Sequence, residues 1–180
     1  MAKHSVSQED VDNLIEDARY LQDEMEALQY VIEEIPYKED HPSEPSIAEM
    51  LYRIDHAQKY YYKPVLDKVY KTKDRIPDVR RLGNYEESFE FDLNKKIDIQ
   101  NKLQKIVKHR AALANAMKRI HLMDWNDVIE TREGEVQLYT LLKNMVQHER
   151  AVLKQIADRV LVHSKEKHER RSMKDQRPNS

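Results

Sequence analysis

The 180 residues include no cysteine, which excludes disulfides, thiolate metal sites and cysteine nucleophiles and fits a reducing compartment. Only two glycines, Gly83 and Gly134, are present. Gly-rich phosphate loops are therefore ruled out, and a sheet protein built on glycine-dependent turns is disfavoured. No P-loop lysine or nucleophile elbow occurs, and no local pattern indicates Ser/His/Asp catalysis. Apolar runs long enough to span a bilayer are lacking, and Met1-Ala2-Lys3-His4-Ser5 has no apolar signal core. The expectation is a soluble cytoplasmic protein with no membrane partner. Neither sign of charge dominates: 31 basic and 33 acidic residues leave a formal charge of -2, so nucleic acid is not an expected partner.

What is abundant is Leu, Glu, Lys, Gln and Ala, the strong helix formers, and the expected class is all-α. The length suits one domain, placed at residues 1–162, with a polar basic tail at 163–180. In that tail six Lys/Arg face three Glu/Asp and apolar residues are almost absent, the composition of a frayed, solvated segment.

Four amphipathic helices can be traced by their apolar spacing. The first starts at Ser7, with Asp10 completing a capping box, and ends before Pro36; Val11, Leu14, Ile15, Ala18, Leu21, Met25, Leu28 and Ile32 form its stripe. Another capping pattern, Ser46-Ile47-Ala48-Glu49, opens the second, which runs to about Lys71 with Ile47, Met50, Ile54, Ala57, Tyr61 and Val65 inward. Pro64 removes a backbone donor and predicts a kink near Tyr60 to Lys63. Thr72 to about Tyr85 has no clean period and reads as a long connection. Helices 2 and 3 should then run parallel, joined by a crossover. The third helix is expected over Glu86 to His121, with Arg110 inside its stripe and in need of an acceptor. Asp124-Trp125-Asn126-Asp127 caps a short helix to about Thr131, Trp125 covering one end of the core, and the fourth long helix spans Glu135 to Val162. Leu66, Val69 and Tyr70 lie on the far side of helix 2, where either a second copy of the chain, giving a homodimer, or the crossover loop would cover them.

Chemistry concentrates at His148-Glu149 on the fourth helix. The stripe there is Leu138, Leu141, Leu142, Met145, Val152, Ile156 and Val160; Glu149 falls near its middle and His148 near one edge. A carboxylate in that position needs a partner, because an unpaired buried charge costs several kcal/mol or more. A metal would want a second ligand one turn away, but position 152 is Val, so this helix alone is a poor chelate. Helix 2 offers a polar strip of Glu49, Arg53, His56 and Tyr60, in which Glu49 and Arg53 can pair, Arg53 sits at the core edge and His56 reads as a surface histidine. His109 and His121 lie outside the central stripe of helix 3, while His4, His41, His163 and His168 fall in loops or tails.

Ser46-Ile47-Ala48-Glu49-Met50-Leu51-Tyr52-Arg53-Ile54, the run Tyr139-Thr140-Leu141-Leu142 with His148-Glu149-Arg150 and Gln155-Ile156, and Arg110 followed by Leu122 and Trp125 together resemble the DinB-like superfamily. That group of bundle proteins includes metal-dependent thiol transferases. The resemblance covers most of the chain and implies a four-helix bundle, up-down-down-up, with a long helix 2 to helix 3 crossover. It also implies three metal-binding histidines at the positions held here by Arg53, His148 and Val152. Only His148 survives, and a cation at position 53 repels a divalent metal.

Arg53 is accordingly expected to fill the metal's space, pairing with Glu149 and donating to His148. On that reading Arg53→Ala would cost about 3–5 kcal/mol. The expected function is non-catalytic and cofactor-free, with a small molecule or a protein bound in a crevice at Arg53, His148, Glu149, Tyr60 and Arg110. The alternative is a thiol-transferase-type enzyme holding Zn or Ni through His56 and His148.

Overall fold

The computed structural model describes residues 5–71 and 76–175, the last by its backbone alone. His4, Thr72–Arg75 of the crossover and the final five residues of the expected tail lie outside these. The described chain is mostly helical, as its composition predicts, and carries in addition one antiparallel hairpin.

Helix α1 spans Gln8–Val31 and is followed by a 3-10 turn, Ile32–Glu34. Its capping box is formed: the Asp10 N–H donates to Ser7 Oγ at 3.1 Å, and the Ser7 N–H donates to Asp10 Oδ2 at 3.0 Å. The face from Val11 to Leu28 is buried as its spacing dictates. Helix α2, Ile47–Ala57, starts where Ser46 Oγ accepts the Glu49 N–H at 3.1 Å.

The strain anticipated at Pro64 is absorbed by a widened turn. Gln58–Tyr62 is a π-helical segment in which the Lys63 N–H reaches the Gln58 carbonyl, and α3 continues over Lys63–Lys71. Pro64 has no N–H for the carbonyl four residues back, so the chain lets out one residue rather than ending the helix. The inserted residue rotates everything after it. Tyr61, expected inward, is only half-buried, whereas Leu66 is buried; ahead of the insertion the buried face of α2 passes from Ile54 to Gln58 and leaves Ala57, also expected inward, half-buried. Leu66 is thereby removed from the face proposed for a second copy. Val69 packs against the core, and the Tyr70 hydroxyl donates to the Ala116 carbonyl at 2.8 Å.

Helix α4 runs over Ile99–Lys118 and not from Glu86. Asp98 takes its N-cap, accepting the Asn101 N–H at 3.0 Å. Upstream lie a 3-10 stretch, Arg80–Ser88, and an irregular segment whose aromatic side chains turn toward α2: Phe91 meets Tyr52 edge-on, with ring centroids 5.2 Å apart. Alternating Phe89 and Phe91 cannot share one face of a helix, which is why the helical reading fails there.

The short helix expected after Asp124 stops early. A 3-10 turn, Leu122–Asn126, is followed by β1, Val128–Thr131, and β2, Gly134–Gln137, paired from Val128 with Gln137 to Thr131 with Gly134. Gly134, at φ 112°, supplies the positive backbone angle that closes the turn. The crossover is tied to this hairpin by backbone bonds from Val79 N to Glu130 O and from Glu130 N to Pro77 O, both 2.9 Å. Trp125 is fully buried beneath, edge-on to Tyr139.

Helix α5 covers Leu138–Asp175. It therefore begins later than Glu135, because the strand occupies residues 134–137, and it extends through most of the segment expected to be frayed. Strong helix formers carry it outward with its side chains exposed, and Lys167 meets Glu34 at 3.7 Å. Helix α1 packs chiefly on α4 and α5, and α2 also packs on both. The core between them includes the fully buried Leu21, Ile32, Leu51, Leu103, Ile106 and Met117. Each such side chain contributes roughly 1.5–3 kcal/mol by leaving water.

Candidate functional site

Between α2, the crossover and α5 lies a crevice of about 270 Å³. Arg53, His148 and Val152, the three positions singled out by the sequence resemblance, all line it. Met50, Ile54 and Val152 make its apolar side, and Tyr62, Tyr85 and Phe89 its aromatic one. Burial, followed by the Glu86 carboxylate, pushes the Tyr85 phenol up to about 12, and burial also raises Tyr62, so both rings present neutral hydroxyls at pH 7.

Glu149 forms part of this lining, only 2% exposed. Its partner is Arg110 of α4, 1% exposed, whose guanidinium forms an ion pair with the Glu149 carboxylate. Gln58 Nε2 donates to the other carboxylate oxygen at 3.4 Å. Burial lowers Arg110 to about 10, which still leaves it cationic at neutral pH. The acceptor required by Arg110 and the cation required by Glu149 are thus each other. Arg110 does not line the crevice; it stands behind Glu149.

The expected Arg53–Glu149 pair is not formed. The Arg53 side chain is 53% exposed, lies 3.8 Å from Glu49 Oε1 one turn away, and places its guanidinium 4.4 Å over the Phe89 ring. An arginine at the rim keeps its hydration and gains a π face, whereas reaching Glu149 would mean competing with a buried guanidinium already in place. His148 is at the crevice edge and exposed, as its helical angle predicts, without a bond to Arg53.

His56 is not a free surface histidine. Its Nε2–H donates to the Tyr85 carbonyl at 2.6 Å, with Ser88 Oγ 3.2 Å away, and its ring packs among Tyr60, Tyr85 and Phe89. Tyr60 is 47% exposed, leans on His56 at 4.7 Å and does not line the crevice. The expected site residues therefore divide. Arg53, His148 and Glu149 share the crevice, Arg110 supports it from behind, and Tyr60 is outside.

Sequence reasoning missed Gln58, Tyr62, Tyr85, Glu86 and Phe89. Gln58 continues the buried face of α2 one turn past Ile54, Tyr62 is brought round by the π segment, and the others belong to the aperiodic crossover. One usable signal was the aromatic density of that crossover, since exposed loops rarely carry Tyr85, Phe89 and Phe91 so close together.

The donor set does not fit a metal of the kind the resemblance implies. Arg53 and Val152 offer no ligand atom, and the His56 nitrogen that carries its proton toward Tyr85 cannot also coordinate. Among the described residues no group of three or more His, Asp or Glu side chains is arranged to hold a metal ion. No helix among them is long and apolar enough to cross a membrane. No family model, curated protein or solved structure matches the chain.

Proposed function

We propose that the chain is a DinB-like four-helix bundle, up-down-down-up, that binds a small molecule in the crevice beside Arg53 and His148 without metal or catalysis. The arrangement is supported by the packing of α1 and α2 on the same two helices and by the long connection between α3 and α4. The observation that carries the functional reading is the convergence of Arg53, His148 and Val152 on one crevice whose buried carboxylate is already neutralised by Arg110. A concave site with aromatic walls and a few fixed polar groups suits a small ligand better than a flat protein surface. A protein partner is the other occupant to test.

Metal analysis of protein purified without chelators should find well under one equivalent of Zn or Ni. Stoichiometric, tightly held metal would overturn the proposal. It would favour the enzyme reading, in which His56 and His148 are ligands; those two do line the same crevice. Filling the crevice with Val152→Trp should abolish the thermal stabilisation given by any small molecule found in a ligand screen. Stabilisation unaffected by that substitution would place the ligand elsewhere.

A further inference from the structure

A second hollow of about 270 Å³ lies between the π segment with α3 on one side and α4 on the other, and it shares no lining residue with the crevice. Its apolar surface comes from Leu66 and Leu113, and the small side chains Ala112 and Ala116 on α4 leave the space open. Cavities of about 150 Å³ already accept a benzene ring, so an aromatic ring with a short substituent fits this volume.

Three polar features are arranged around that apolar surface. Gln58 is 1% exposed, and while its Nε2 donates to Glu149, its buried Oε1 has no partner. An amide oxygen left unpaired in such a place is destabilising unless a donor reaches it. Behind His109 lies a carboxylate: its Nδ1 stands 3.2 Å from Asp55 Oδ1 without the alignment of a hydrogen bond, and Asp55 Oδ2 is held by Lys102 at 2.8 Å. No described residue bonds the remaining ring nitrogen, Nε2. At the mouth stand the exposed Lys59 and Lys63 against the single carboxylate of Asp67. Lys63 has no ion-pair partner among the described residues. The π turn that begins at Gln58 is a form of helix often found at functional sites.

We propose that this hollow is a second ligand site, built for a small carboxylate with an aromatic or short apolar body and one hydrogen-bond donor. The carboxylate lies at Lys63 and Lys59, the apolar body on Leu66 and Leu113, and the donor on Gln58 Oε1, which is enclosed in the wall and turns outward to meet it. His109 Nε2 adds a polar contact. An occupant also touches, through Gln58, the network that ends at Glu149 in the crevice.

The test is a titration of the full chain with 4-hydroxyphenylacetate, followed by the methyl signals of Leu66, Leu113 and Ala112 against those of Ile54 and Val152. Saturable shifts confined to the first group are expected, at a Kd of about 1 mM or tighter. Phenylacetate, which lacks the hydroxyl, should bind about tenfold more weakly, and tyramine, whose ammonium replaces the carboxylate, should not bind. Lys63→Glu should weaken the acid about tenfold with an unchanged melting temperature, since it replaces one exposed charge by its opposite. No saturable shift, shifts in the crevice methyls, equal binding of tyramine, or equal binding of phenylacetate would each overturn the proposal. The wild-type localisation stands even if a substituted chain fails to fold.

Discussion

Removing the Arg110 side chain gives a sharp measure of what holds the centre of this molecule together. Arg110→Ala leaves the Glu149 carboxyl group enclosed and with only the 3.4 Å bond from Gln58. Breaking a buried ion pair by deleting one partner costs about 3–5 kcal/mol, because the remaining charge has lost both water and its counter-ion. A domain of this size loses about 2–4 °C of melting temperature per kcal/mol, so a fall on the order of 10 °C is expected. The comparison that gives the number meaning is Arg53→Ala. Its side chain is half exposed and its ion pair to Glu49 is long, so solvent screening reduces the loss to about 0–1 kcal/mol. Replacing both buried partners, Arg110→Met with Glu149→Met, should recover most of the loss, since two apolar side chains leave no stranded charge except the small demand of Gln58. Urea titrations of the four proteins monitored by circular dichroism supply the free energies. The reasoning fails if Arg53→Ala costs as much as Arg110→Ala, or if the double replacement is no better than the single one.

Three other outcomes follow from local geometry. Arg53→His together with Val152→His places three histidines around the crevice with His148; the variant should gain Zn-dependent thermal stabilisation, about 2.7 kcal/mol at a hundredfold excess over Kd, and no gain would mean these positions do not converge as described. Gly134→Ala should cost about 1–3 kcal/mol because its φ is 112°, whereas Gly83→Ala requires only that the flexible Arg132 side chain move aside, so equal losses in thermal melts would contradict the turn geometry. Asp78 is held at about 2 by bonds from Arg80, so a carboxyl-carbon NMR titration should place its midpoint there; because the folded value is the lower one, its stabilising contribution is present above about pH 4 and lost as pH falls through about 2. Arg80→Ala should move that midpoint back up, and an unchanged midpoint would rule out Arg80 as the cause.

How much of this was legible depended on whether the information was local. Ser7, Ser46 and the apolar spacing after each of them fix two helix starts and one face apiece, since a cap and a 3.6-residue period act within a few residues. The position of Glu149 on a buried face was readable for the same reason. Its partner was not, because two charged positions lay within reach of the stripe and only packing decides between them. Arg110 sits wholly inside the α4 face, which was itself a clue: an arginine at a core position has already committed to burial, while one at an edge can remain hydrated. Position within the stripe should therefore have outweighed the family analogy that favoured Arg53.

The register of the second long helix teaches a different lesson. Pro64 announced a disturbance, but its form decided which side chains face inward beyond it. A kink would have kept Tyr61 on the core stripe with Val65; a π turn inserts one residue and turns Leu66 in instead. Val65 stays buried, because the inward arc is wide enough for two neighbours. Gln58 itself precedes the inserted residue: it continues the buried face of α2 one turn past Ile54, so its burial was readable from the period. A glutamine at such a position must satisfy an amide on both ends, and Glu149 satisfies only the nitrogen.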